Sequence, residues 1–279
     1  MDLKTTKKLN NGIEIPMLGF GVFQCKDGEE TYNAVRWALE AGYRHIDTAS
    51  AYRNEKSVGD AIRQSGINRK EIFITTKLKI EDIRTGMQVQ AFEKSLQLLQ
   101  TDYLDLYLIH WPVPGKNAES WKILEDLYKS GRIKSVGVSN FVETNIDKLV
   151  VGAKVVPAVN QVELHPHLSQ SALAAHCVKL GIAPEAWSPL GGTGGTLLDD
   201  AVLQKIAKKH GKSTAQVTLR WELQNGIITI PKSTHKERIT ANTDLYNFEL
   251  SAAEMKAITD LDQSPLPTGM GWDPKSIAF

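Results

Sequence analysis

Four side chains in the sequence have the means to move a proton onto an oxygen. They are Asp47 and Tyr52 in Asp47-Thr-Ala-Ser-Ala-Tyr52, Lys77 in Ile74-Thr-Thr-Lys77-Leu78, and His110 in Leu108-Ile-His110-Trp-Pro112. A free phenol, with a pKa of about 10, is a reluctant acid at neutral pH. An ammonium about 4 Å away, at an effective dielectric of about 20, contributes about 4 kcal/mol, or roughly three pK units before desolvation takes part of it back. Lys77 is therefore expected to bring Tyr52 towards neutrality, and Asp47 to keep Lys77 protonated where it is partly buried. His110 would offer a hydrogen bond to a substrate oxygen. The quartet reads as proton transfer to an oxygen that is gaining negative charge. Singly, each has a duller reading: a strand-end Asp is often a helix N-cap, and a Lys after apolar residues snorkels to water. Their recurrence at the ends of three successive strands is what points to a site.

Those strands belong to a longer series. Short β-branched, apolar segments start at Met17, Arg44, Ile72, Tyr103, Ile133, Pro157, Ile182 and Ile227, with spacings of 24 to 31 residues and a last one of 45. Helical periodicity fills the gaps, as in Val35, Ala38, Leu39 and Gly42, or Val89, Phe92, Leu96 and Leu99. Gly42, Gly66, Gly131, Gly181 and Gly226 each stand just past a helix and before a strand, where a left-handed C-terminal residue is needed. Eight β-then-α units in one chain of this length predict an α/β protein with a closed parallel (β/α)8 TIM barrel, in which chemistry sits where strands run into βα loops. Leu9-Asn-Asn-Gly-Ile13 predicts an N-terminal β-hairpin. The long last gap predicts extra helices near the C-terminal part, at Leu203 to His210 and Thr214 to Leu223. No Pro- or Ser-rich linker divides the chain, so residues 1–279 are expected to form one domain.

Gly42-Tyr-Arg-His-Ile-Asp47-Thr-Ala with Tyr52 and Asn54-Glu55, Thr75-Thr-Lys77, Ile109-His110-Trp111-Pro112, Gly137-Val-Ser-Asn-Phe141, Asn160-Gln161-Val-Glu163, Ala186-Trp-Ser-Pro189 and Ile230-Pro-Lys232-Ser233 together resemble the aldo-keto reductase family, from about Gly12 to Leu261. The resemblance is greatest to its short prokaryotic, broad-specificity members, described as aldehyde, glyoxal or diketogluconate reductases. It implies hydride transfer from NADPH to the carbonyl of a small aldehyde or ketone, with Tyr52 as general acid, Lys77 lowering its pKa, Asp47 holding Lys77, and His110 orienting the carbonyl. It also implies that Ser139, Asn140 and Gln161 hold the nicotinamide carboxamide, that Trp187 stacks on the ring, and that Ser188 and Leu190 line the cofactor. Pro231-Lys232-Ser233 with Arg238 and Asn242 matches the family's site for the adenosine 2′-phosphate and adenine; Ala241 stands where many relatives carry Glu. Phe23, where relatives often have Trp, and Trp111 are implied substrate-pocket residues.

Composition sets the frame for this reading. The chain has 279 residues, 33 Lys+Arg against 32 Asp+Glu, 42% hydrophobic and 23% charged residues. A near-neutral balance leaves no basic face for nucleic acid or anionic membrane, so a small-molecule partner is expected. Two cysteines, Cys25 and Cys177, form neither a disulfide framework nor a Cys-x-x-Cys pair, and no uncharged apolar run reaches 18 residues. The first ten residues carry charge without a following apolar run, so no signal peptide is expected. A cytoplasmic monomer is the expectation.

Several signals compete. Gly191-Gly-Thr-Gly-Gly-Thr-Leu197 looks like a dinucleotide loop, but no Rossmann context surrounds it, and it reads as a mobile loop over the pyrophosphate. Gly211-Lys-Ser213 lacks the first Gly of a phosphate loop, where Ile206 stands, and reads as a helix boundary. Glu163, His165 and His167 alternate as metal ligands can, with Pro166 between the histidines; no metal is expected. Lys208-Lys-His-Gly-Lys212 reads as a solvated helix end. Two other functions remain as alternatives: a cofactor-binding regulatory barrel, which would need added sequence for its partner, and a barrel glycosidase using Glu163 and Glu185, which leaves Lys77 and Lys232 without work. The loops after the first, fourth and seventh strands and the tail from Gln263 to Phe279 are expected to shape the substrate pocket.

Overall fold

A computed structural model describes residues 1–192 and 194–264. Its first two strands, β1 (Thr6–Lys8) and β2 (Glu14–Pro16), pair antiparallel as the predicted hairpin, with Gly12 at φ 87° in the turn. Eight parallel strands follow: β3 (Phe20–Gly21), β4 (His45–Asp47), β5 (Phe73–Leu78), β6 (Leu104–Ile109), β7 (Ile133–Ser139), β8 (Val159–Glu163), β9 (Ala183–Trp187) and β10 (Ile228–Thr229). They pair strictly with their sequence neighbours from β3 to β10. The ring closes at the seam, where Thr229 N donates to Met17 O and Gly19 N to Thr229 O, both at 2.9 Å. This is the (β/α)8 arrangement read from the strand spacing.

The helices wrap the outside: α1 (Glu29–Glu40), α2 (Glu55–Gln64), α3 (Ile80–Arg84), α4 (Gln88–Leu99), α5 (Asn117–Lys129), α6 (Glu143–Gly152), α7 (Ser171–Lys179), α8 (Ala201–His210), α9 (Thr214–Gln224), α10 (Lys236–Ala241) and α11 (Ala252–Thr259). The two helices expected before the last strand are α8 and α9. Gly211 ends α8 in the left-handed region, and Ser213 opens α9 with a capping box to Gln216, so Gly211-Lys-Ser213 is the helix boundary it was read as. The basic end of α8 is not simply solvated. Lys209 and His210 grip Glu254 of α11 at 2.7 and 3.0 Å, because that carboxylate packs against the turn. Val89 also departs from the expected buried face of α4; it is exposed, and Phe92, Leu96 and Leu99 carry the packing.

Two apolar layers follow from this geometry. The larger lies between the strands and the helices. The smaller fills the barrel with Phe73, Leu106, Leu108, Val159, Ala183 and Ile228, and the hairpin's Leu9 and Ile15 cap it at the amino-terminal end. Gly137 is required here, since a Cβ on it would come within 2.7 Å of both Leu108 Cδ2 and Val159 O. The barrel is thus plugged from below, and the carboxyl ends of its strands open onto a cavity.

Candidate active site

That cavity is about 1050 Å³. Asp47, Tyr52 and His110 line it together with Phe23 and Trp111. Tyr52 reaches the mouth because β4 ends at Asp47 and the chain turns through a short 3-10 helix, Ser50–Tyr52, closed by Arg53 at φ 60°. The Phe23 ring lies 4.9 Å from the Tyr52 ring, and the His110 ring meets it edge-on at 5.6 Å.

Lys77 is the one member of the quartet that does not line the cavity. It is fully buried behind Tyr52, donating from Nζ to Asp47 Oδ1 at 2.6 Å, Thr48 O at 2.9 Å and Tyr52 Oη at 3.4 Å. Asp47 is held on its other oxygen by Gln161 Nε2 at 2.8 Å. Burial works to lower the Lys77 pKa, but Asp47 outweighs it and holds the ammonium above its usual range. Burial and Lys77 together push the His110 imidazole well below the usual value, so it stays neutral and able to donate from one ring nitrogen.

Tyr52 corrects an expectation. Burial raises the phenol above its ordinary pKa, and although Lys77 pulls the other way, Asp47 partly cancels that pull. The low-dielectric setting that strengthens the ammonium's attraction penalises a phenolate more, so Tyr52 is held as the protonated acid and not brought towards neutrality.

The cavity continues from this proton site towards the last strand. Ser139, Asn140, Gln161 and Trp187 line its middle, Ser188 and Leu190 its wall, and Lys232, Ser233, Arg238 and Asn242 its far end. Asn140 takes φ 62° just past β7 so that Nδ2 can donate to His110 O at 3.0 Å, while its Oδ1 accepts from Trp187 Nε1 at 2.9 Å and fixes the indole plane. Ser188, with φ 47°, makes the same kind of left-handed turn after β9. Such non-glycine backbone costs about 1 to 3 kcal/mol and persists where the surroundings dictate it. Lys232 and Arg238 are exposed on the cavity wall and pair with no carboxylate among the described residues. Ser233 Oγ accepts from His235 N at 3.1 Å, shaping the turn into α10.

Sequence reasoning missed several contributors. Lys79, just after β5, and Ile80 and Glu81 in the first turn of α3 line the cavity, although only the loops after the first, fourth and seventh barrel strands and the tail from Gln263 were expected to shape it. Asn54, wholly buried, donates to Val22 O and Cys25 O at 3.0 and 3.1 Å and accepts from Thr48 Oγ1 at 2.8 Å, tying the Phe23 loop to the Tyr52 turn. Its place in Asn54-Glu55 was the available signal. In the glycine loop, Gly191, Gly192 and Gly194 have positive φ, whereas Thr193 lies outside the described residues. Most of the tail from Gln263 to Phe279 lies outside them too. Glu163 and Glu185 are buried and neither lines the cavity, so they cannot serve as the acid and nucleophile of a glycosidase. Glu163 lies 3.6 Å from His165, while His167 turns away to Asp200 at 3.3 Å; no metal-holding cluster occurs among the described residues. Among those residues no helix is long and apolar enough to cross a membrane.

Comparison with known proteins adds an independent line. The sequence profile of the aldo/keto reductase family matches residues 17–263. A glyoxal reductase of Bacillus subtilis is 51% identical over 277 residues, 99% of each chain. A methylglyoxal reductase of Escherichia coli is 44% identical over 261 residues, 93% of this chain and 94% of its own. Among solved structures, an aldo-keto reductase of Bombyx mori in complex with NADP superposes with a TM-score of 0.87 at 39% identity, covering 94% of each chain.

Proposed function

The chain belongs to the aldo/keto reductase family and is an oxidoreductase, and on that premise we propose that it reduces aldehydes and ketones to alcohols with NADPH. Small reactive carbonyls such as glyoxal and methylglyoxal, and aromatic aldehydes, are its substrates in this reading. The observation that carries it is the buried ammonium of Lys77, 2.6 Å from Asp47 and 3.4 Å from the Tyr52 hydroxyl, behind one end of a cavity whose other end presents Lys232 and Arg238.

The residues along the cavity fit the cofactor. Two cations without a carboxylate partner among the described residues, and the Ser233 turn, suit a phosphate at the far end. There Lys232, Ser233 and Arg238 would hold the 2′-phosphate, and Asn242 the adenine. The fixed Trp187 plane suits stacking on a flat ring, with Ser139, Asn140 and Gln161 beside it for a carboxamide and Ser188 and Leu190 along the wall. When bound, NADPH supplies the hydride. The carbonyl oxygen takes a hydrogen bond from the neutral His110 imidazole and then the proton from Tyr52 Oη, while Lys77 stabilises the charge left on the phenol and Asp47 and Gln161 fix Lys77. Phe23 and Trp111 provide an apolar wall for the rest of the substrate.

The test is NADPH oxidation followed by absorbance with glyoxal, methylglyoxal and benzaldehyde. Carbonyl-dependent oxidation supports the reading; cofactor binding without oxidation by any of the three would contradict it and favour the regulatory barrel.

A further inference from the structure

A second polar layer lies inside the barrel directly beneath the proton site, where a closed barrel ordinarily packs branched apolar residues. Side chains two residues apart on a strand point to the same side, so His45 underlies Asp47 and Thr75 underlies Lys77. Glu185 completes the layer from β9, in register with Gln161 on β8, the residue that holds Asp47. His45 Nε2 lies 3.0 Å from Thr75 Oγ1 and 3.8 Å from Glu185 Oε1. His45, Thr75 and Glu185 are wholly buried, and a Cβ on Gly19 would fall 2.5 Å from His45 Nδ1, so the chain makes room for the imidazole. Neither carboxyl oxygen of Glu185 makes a hydrogen bond of good geometry among the described residues, though the Gln161 amide lies near enough to favour its charged form. Nothing in the proton-transfer scheme uses it.

We propose that Glu185, wholly buried beneath the Asp47–Lys77 pair and in register with the Gln161 that holds Asp47, is a positioning residue for proton transfer, acting on Tyr52 through the charge it places under that pair. The proposal rests on the reading of Tyr52 as proton donor. The groups facing Glu185 fix its state. His45 on β4 cannot supply a compensating positive charge, because burial and then Lys77 drive its pKa down to about 3 even though the Pro16 backbone works the other way. Asp47 on β4 repels a second carboxylate, Lys77 on β5 attracts it, and the Gln161 amide on β8 assists; Ile228, in register on β10, is apolar. Burial first, then Asp47, raise Glu185 to about 8 against the pull of Lys77 and Gln161.

At neutral pH the barrel interior therefore holds one cation, one anion and an uncharged acid. Above pH 8 Glu185 releases its proton to solvent and the balance becomes net negative. Lys77 is then shared between two carboxylates, and Tyr52 becomes harder to ionise. A phenol that resists ionisation is a weaker general acid, so carbonyl reduction slows before Tyr52 itself titrates.

The experiment is the pH profile of kcat for carbonyl reduction, from pH 6 to 10, in wild type, Glu185→Gln and Tyr52→Phe. The amide is uncharged at every pH. Wild type is expected to fall about five- to tenfold between pH 7 and 9, and Glu185→Gln less than about twofold, each relative to its own rate at pH 7. If Tyr52→Phe is inactive and Glu185→Gln follows the wild-type profile, the Glu185 proposal is overturned and the proton-donor reading stands. If Tyr52→Phe keeps its turnover, the proton-donor reading falls, and this proposal with it. Should Glu185→Gln fail to fold, carbon-13 NMR of labelled glutamate carboxyls in the wild-type protein decides instead. A carboxyl that is neutral at pH 7 and titrates near 8 in step with the fall in wild-type kcat, and that is not the likewise buried Glu222, upholds the proposal, and the absence of any such glutamate overturns it.

Discussion

Lys77 Nζ sits 2.6 Å from Asp47 Oδ1 with both side chains closed off from solvent. Breaking such a pair from one side leaves a buried charge without its partner, at a cost of about 3 to 5 kcal/mol. Lys77→Met is therefore expected to lower the urea midpoint as well as turnover, the latter by roughly 10² to 10⁴ through a phenol that has lost its stabilising cation. Adding Asp47→Asn should recover much of the stability and none of the turnover. A Lys77→Met enzyme with an unchanged pH profile would show that the ammonium does not act on Tyr52.

Stability should also respond to His45. Its folded pKa is about 3, held down chiefly by burial, against an ordinary 6.5. Below pH 6.5 the unfolded chain takes up a proton that the folded protein refuses, so the stability present above 6.5 is lost as pH falls towards 3. Relative to His45→Gln, wild type should lose about 1.4 kcal/mol per pH unit across that window. Denaturant melts at pH 7, 6, 5 and 4 measure the difference, and parallel pH dependences would mean that the imidazole is protonated in the folded state.

Cofactor preference should lie in the exposed cations at the far end of the cavity. NADPH differs from NADH by one phosphate, which charge-assisted hydrogen bonds from Lys232 and Arg238 would read. Arg238→Ala is expected to weaken NADPH by about 1.5 to 3 kcal/mol, the scale of a hydrogen bond to a charged group, and NADH much less. Quenching of Trp187 fluorescence reports both affinities. Equal losses would assign Arg238 to the adenine or to the α10 turn.

Much of this architecture was open to inspection in the sequence because local rules dictate it. Gly42, Gly66, Gly131, Gly181 and Gly226 all have positive φ, marking where helices hand over to strands. The Asn-Asn-Gly turn and the Ser213 and Gln216 capping box are equally local. At the barrel seam the first and last strands are shorter than their apolar runs, and Pro231, which has no N–H to donate, follows the last one. The residues proposed for the reaction could be chosen from strand ends, and all but Lys77 line one cavity. What stayed hidden depends on contacts across the barrel: the complete burial of Lys77, the grip of Gln161 on Asp47, the layer formed by His45, Thr75 and Glu185, and the direction in which Tyr52 shifts. Burial depth at these positions comes from eight strands closing together, and no single strand encodes it.

The central claim is that Tyr52 gives the proton while the cofactor binds independently of it. Steady-state turnover with methylglyoxal, measured beside NADPH affinity in Tyr52→Phe, tests it most directly. The account predicts a fall in kcat of roughly 10² to 10⁴ with NADPH affinity within about twofold of wild type. Turnover close to wild type in a variant that still binds NADPH would contradict it.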